Sequence, residues 1–204
     1  MTNTFLDSIK VRRSIYALDK NVSVEDSKIE EIIKDAVKYS PSSFNSQSSR
    51  AVILLGENHD KLWNIVEDTL RAIVPAENFA ATEEKVGSFR AGYGTVLFFE
   101  DTAVIEGLQE NFALYADNFP VWSEQSSGIA QHSVWVALAN AGIGASLQHY
   151  NPLIDDAVKA EWNIPASWNL RAQMPFGNIV QEAGEKEFID DADRFRVFKY
   201  KCFT

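Results

Sequence analysis

The chain of 204 residues has one cysteine, three histidines and no long apolar run. Each scarcity excludes something. A lone cysteine, Cys202, cannot form an internal disulfide, and its place near the chain end argues against a catalytic thiol. A reducing, cytoplasmic setting fits that usage. His59, His132 and His149 are scattered without HxxxH or CxxC spacing, so no metal site is expected. No stretch reaches the roughly 18 apolar residues of a membrane-crossing helix. The opening residues lack a basic segment followed by an apolar one, so no signal peptide is expected. Positive charge is short as well: 19 Lys and Arg against 29 Asp and Glu give a net charge of −10. That leaves no general basic face for nucleic acid or an anionic membrane. GxGxxG and GxSxG are both missing, which removes the dinucleotide fingerprint and the hydrolase nucleophile elbow.

What is present is a 46% hydrophobic, 12% aromatic chain, enough for one sizeable core. No repeat or linker interrupts residues 1–204, so a single domain is expected. Apolar residues recur at helical spacing through Ile29, Ile32, Ile33, Ala36 and Val37, behind a loose cap at Ser23 and Asp26. Pro41 should end that helix near Tyr39. Further helices are predicted over 60–71, 80–89, 126–141 and 153–162. Strands are predicted over 51–55, 95–99, 144–148 and 170–176. Residues 102–118 read as a short helix and a loop, and 178–193 as an exposed arm. Interleaved helices and strands imply an α+β class with a central sheet flanked by helices.

Three separated pieces stand out against the acidic background. Arg12-Arg13-Ser14 follows a short N-terminal helix. Two adjacent guanidiniums must fan apart, and with the hydroxyl they suit a phosphate; a solvated basic turn explains them as well. The second piece is Ser40-Pro41-Ser42-Ser43-Phe44-Asn45-Ser46-Gln47. Were it extended, Asn45 and Gln47 would project to one side and offer two carboxamides to an alternating donor–acceptor ring edge, whereas its Ser and Asn side chains would equally build an elaborate turn. The third is Arg194-Phe195-Arg196, whose alternation puts both cations on one face of an extended arm. An ordinary amphipathic end strand shows the same alternation.

Taken together, these pieces resemble the nitroreductase family of FMN-dependent oxidoreductases, and the stretches Trp122–Gly128, Leu147–Pro152 and Gln173–Gly177 resemble its bacterial and fungal branch that includes fatty-acid-repression-type proteins. The resemblance implies a nitroreductase-like fold with a central mixed sheet in an arm-exchanged homodimer. It implies FMN held by Arg12, Arg13, Ser14, Pro41, Ser42, Asn45, Gln47, Leu147, Gln148, His149, Arg194 and Arg196. It further implies NADH or NADPH as reductant and a small aromatic oxidant, a nitroaromatic or a quinone, taken in turn at one face. Phe112, Tyr115, Phe119 and Trp122 fall where the family builds its substrate cover, or else are core or interface packing. No side chain is expected as an essential acid or base, because the chemistry would lie on the flavin. Two departures stand out: Tyr16 replaces a frequent arginine, and Ser48-Ser49 replaces a Pro-Trp that often follows the glutamine. The same features would serve an FMN-binding regulatory or redox-sensing protein with incidental reductase activity.

Overall fold

The computed structural model describes residues 4–199. Cys202 lies outside them. In chain order the elements are α1 (Phe5–Val11), β1 (Leu18–Asp19), α2 (Asp26–Lys38), β2 (Ser49–Leu55), α3 (Glu57–Arg71), α4 (Phe79–Arg90), β3 (Gly94–Asp101) and α5 (Thr102–Asn111). There follow α6 (Phe119–Asn140), β4 (Gly144–Ala145), α7 (Asp155–Glu161), β5 (Trp168–Ile179) and α8 (Asp191–Arg194). Short 3₁₀ turns occupy Ser43–Asn45 and Ala113–Asn118. Among the described residues no helix is long and apolar enough to cross a membrane.

The strands form one sheet in the order β1-β5-β3-β2, with β4 also paired to β5. The class is α+β, as expected. All pairings between named strands are antiparallel. The expected mixed character is confined to a parallel bridge between Ser14 and Ala145. Central β3 is buried along its whole length, and its alternation serves two cores. Val96 and Phe98 face Ile29, Ile33, Val134 and Leu138 from α2 and α6. Leu97 and Phe99 face Leu62, Trp63, Val66 and Phe89 from α3 and α4. Each fully buried side chain of this size contributes about 1.5–3 kcal/mol. The register shifts between Phe98 and Phe99, opposite Ala172 and Leu170, so Arg171 is the extra residue of a bulge.

Helix α2 has no side-chain cap at Glu25, so the anticipated Ser23/Asp26 cap is not made, but it closes at Tyr39 ahead of Pro41 as expected. Helix α6 starts a full two turns before the predicted Ser126. Pro120 occupies its first turn, where a missing N–H costs nothing. Ser123 and Ser126 hide the apolar period but return their hydroxyls to the Pro120 and Trp122 carbonyls of the same helix. At 22 residues it spans about 33 Å. It reaches from the 3₁₀ turn at 113–118 to the turn before β4, and it contacts α1, the 43–45 turn and β4, the elements next to the candidate pieces.

Candidate functional site

The N-terminal piece forms a rigid nook. Arg12 lies over the Trp135 ring of α6, 4.4 Å from guanidinium to centroid. The Trp135 indole N–H donates to the Ala145 carbonyl at 3.1 Å, and the Ile15 N–H donates to that same carbonyl. The Ser14 backbone bridges Ala145, so the indole and the segment that carries Arg12 and Ser14 are tied to one short strand. Partial burial and the neighbouring Arg13 charge both lower the Arg12 pKa. A guanidinium in that setting gains from an anion. His132, one turn before Trp135, is lowered by burial and then by Arg12, which favours the neutral imidazole. Arg13 points the other way and donates to the Gly184 carbonyl at 2.7 Å. The two guanidiniums fan apart as expected, but not toward one anion.

The 40–47 loop is not extended. Phe44, Asn45 and Gln47 have φ of +57°, +50° and +49°, the left-handed region that side chains avoid. Each such residue costs on the order of 1–3 kcal/mol and needs surrounding structure to hold it. Local bonds supply part: the Asn45 N–H donates to the Ser42 carbonyl and the Gln47 N–H to the Ser42 hydroxyl. Asn45 and Gln47 are both exposed, and among the described residues neither carboxamide is engaged by its own chain. Pro41, Ser42 and Gln47 line a cleft of about 450 Å³ with α2, the outer edge of β2 and Ser126 and Ala130 of α6.

Phe44 was not singled out by sequence reasoning, yet its ring is the hub of the aromatic group. It lies 4.9 Å from Phe112, 6.0 Å from Tyr115, 5.2 Å from Phe119 and 6.2 Å from Trp122, the last stacked at 19°. The four expected aromatics do come together. Phe119 is buried as their floor, whereas Phe44, Phe112 and Tyr115 keep roughly half their surface in solvent. The only hint of Phe44 in the sequence was an aromatic inside a polar loop.

Of the segment after β4, Leu147 is half-buried against the α2–α6 core and His149 is exposed, while Gln148 is buried with its amide donating to the Ser146 hydroxyl at 3.0 Å. Its backbone exchanges both hydrogen bonds with Gln173, so its side chain is committed to the core side. Arg194 ends α8 and lies beside its own Phe195 ring, and Arg196 donates to the Ala192 carbonyl. The expected extended alternation is interrupted by that helical turn, and the arm stays exposed.

One chain does not unite these pieces. The Ser40 hydroxyl donates to Ser133 of α6 at 3.1 Å, whereas Arg12 covers Trp135. Two residues are about 200° apart around a helix, so the loop and the nook lie on opposite sides of α6. Between them runs an exposed stripe of Val121, Glu124, Gln125, Gly128, Ile129 and His132 at helical spacing.

Residues 9–178 match the nitroreductase family. Nitroreductase CinD of Lactococcus lactis is similar at 56% and 57% identity in its structures with chloramphenicol and with nicotinic acid. Those comparisons cover 96% of this chain and 100% of that one, with TM-scores of 0.89 and 0.90. Nitroreductase FRM2 of Saccharomyces cerevisiae is 33% identical over 195 residues, 93% of this chain and 95% of that protein. A Desulfovibrio desulfuricans structure in complex with FMN shares the fold at 20% identity, with a TM-score of 0.69 over 98% of this chain and 100% of that one. The chain belongs to the nitroreductase family.

Proposed function

We propose that the protein is an FMN-dependent oxidoreductase passing reducing equivalents from NADH or NADPH to a nitroaromatic or quinone-type acceptor. Family membership supports flavin-dependent oxidoreductase chemistry. The observation that carries the finer reading is the strained loop, which spends backbone strain to present two unengaged carboxamides beside an aromatic platform. Bound FMN would supply the centre that accepts and returns a hydride.

The donor set fits a mononucleotide flavin. Arg12 makes no ion pair among the described residues, and Ser14 sits beside it, so the pair suits a phosphate. Asn45 and Gln47 suit the carbonyl and N–H edge of the ring, with Pro41 and Ser42 shaping the loop behind them and Leu147 and His149 at the neighbouring wall. Since α6 separates the nook from the loop, each site needs the loop of one chain and the nook of another. A homodimer packed along the exposed α6 stripe would bring them together. The open edge of β2 and the cleft beside it then receive the arm of the partner subunit, carrying Arg194 of the partner subunit and Arg196 of the partner subunit toward the phosphate. Arg13, tied to Gly184, would hold the arm's root instead of touching phosphate.

Phe44, Phe112, Tyr115 and Trp122 offer a flat apolar face to an aromatic ring. CinD was solved with chloramphenicol, nicotinic acid and 4-nitrophenol, all ring compounds. Reductant and oxidant share that face and bind in turn, which gives parallel lines in steady-state rates over a grid of both concentrations. The deciding experiment is the absorption spectrum of purified protein, release and identification of its chromophore, and anaerobic bleaching by NADH or NADPH. FAD, haem or no flavin after reconstitution with FMN would overturn the cofactor. Intersecting lines would reject the shared face, and no reoxidation by any nitroaromatic or quinone would reject the acceptor class.

A further inference from the structure

One fully buried ionisable group has no part in the reading above. Glu100 is the penultimate residue of β3 and has no exposed surface. Its parity with Val96 and Phe98 turns it toward α6 and the loop. One carboxylate oxygen accepts from the Ser48 hydroxyl at 2.6 Å, the other from the Ser49 hydroxyl at 2.5 Å. Both hydroxyls are positioned to stabilise the charged form of the carboxyl group. No cation is hydrogen-bonded to it among the described residues: Arg50 pairs with Asp101 and Arg171 with Glu124. Burial raises the Glu100 pKa, the two hydroxyls oppose that, Glu124 adds to it and Arg171 reduces it. A buried carboxylate without a cation costs several kcal/mol relative to an apolar residue in a strand, so stability alone does not account for it.

Its partners do. Ser48 and Ser49 directly follow Gln47, and Ser48 is itself fully buried. The Asp101 N–H donates to the Ser48 carbonyl at 3.0 Å, and Arg50 donates to the Gln47 carbonyl. The far side of the loop is pinned by the Phe44 ring in the aromatic group. Phe44 itself and, between these anchors, Asn45 and Gln47 are left-handed. Released at either end, they would relax to negative φ, because each is held against an intrinsic penalty. We infer that Glu100 is a positioning residue for the ligand-binding loop: by gripping Ser48 and Ser49 it keeps Asn45 and Gln47 in the left-handed conformation that presents both carboxamides outward. The inference rests on the FMN reading for the identity of the ligand, not for the grip itself.

Two measurements test it, and they fail separately. The first titrates FMN into flavin-free wild type, E100Q, E100A, and each Glu100 variant combined with Asn45→Ala and Gln47→Ala. E100A should weaken FMN binding about tenfold, and E100Q, which keeps one acceptor oxygen, about threefold. In the background lacking both carboxamides, either change should cost less than twofold, because Glu100 acts through them. Equal losses in both backgrounds, or binding by E100A within twofold of wild type, would overturn the inference. The second measures amide hydrogen exchange over residues 43–49 in flavin-free protein. E100Q should exchange there at least tenfold faster while β3 and α6 stay protected, and unchanged loop exchange would overturn the inference. If E100A does not fold, E100Q and Ser49→Ala carry both measurements. Should wild type bind no FMN, the proposed function fails, and the exchange result still decides Glu100.

Discussion

The two faces of the sheet are finished to different degrees. On the α3–α4 face, a buried polar trio of His59, Trp63 and Thr95 is paired inward. His59 and Thr95 have no exposed surface, the His59 ring is 2.9 Å from the Thr95 hydroxyl, and the Trp63 indole donates to that hydroxyl at 3.0 Å. On the α2–α6 face, among the described residues, the Asn45 and Gln47 carboxamides have no protein partner, Arg12 has a ring but no anion, a helix stripe is bare and a strand edge is open. The difference teaches where to look for function. A polar group already satisfied inside the fold has nothing to offer a ligand, while one held in place yet unengaged does.

The strongest way to break that contrast is to remove what would complete the open face. Deleting residues 190–204 should abolish dimerisation and FMN retention together, as read by sedimentation and absorbance. A truncated protein that stays dimeric and flavinated would end the arm-exchange account. On the finished face, Thr95→Val leaves the Trp63 N–H and the His59 ring without their shared partner. It should lower unfolding free energy by about 2–4 kcal/mol in urea while leaving FMN stoichiometry of the folded fraction unchanged. Arg12→Ala should do the converse, weakening FMN binding by about 1.5–3 kcal/mol in a fluorescence titration with little change in melting temperature. Lys28→Ala, on the exposed surface of α2, serves as its control.

A smaller effect concerns acid. Burial lowers the folded-state pKa of His59 from its ordinary 6.5. Below about pH 6.5 the unfolded chain therefore binds more protons than the folded one, and stability falls as pH drops; above it the group contributes no slope. Wild type should lose stability between pH 6.5 and 5.5 by at most about 1.4 kcal/mol more than His59→Gln. Equal slopes would remove His59 from the account of the closed face.

Much of this contrast was readable in the residues, and the reasons for the rest are tertiary. Helix α2, strand β3 and the aromatic residues at 112–122 follow from period and composition, because local pattern and burial agree there. The early start of α6 was hidden by serines that satisfy themselves on their own helix. The loop conformation was not readable, since only Asn45 has any intrinsic leaning to the left-handed region and Phe44 and Gln47 have none. That geometry is imposed by rings and a carboxylate far away in sequence. The orientation of Gln148 was hidden for a similar reason: it pairs with Gln173, and its amide turns inward to Ser146. The family pieces were visible, but not that α6 would divide them.

Strand β5 also sets an order of events. It pairs with β1, β3 and β4, and the Asn178–Asp19 hydrogen bond spans 159 residues. Ala145, which fixes Ser14 and the Trp135 indole, is itself paired to Phe176. At about 5–20 residues per second on the ribosome, roughly 10–30 s separate synthesis of the Arg12 segment from that of the strand that seats it. Through that interval the two helix layers share only the β2–β3 pair, and the other edge of β3 waits without its longest neighbour. A nascent chain stalled before residue 168 should therefore recruit chaperones and bind no flavin, and both should reverse once β5 has cleared the exit tunnel.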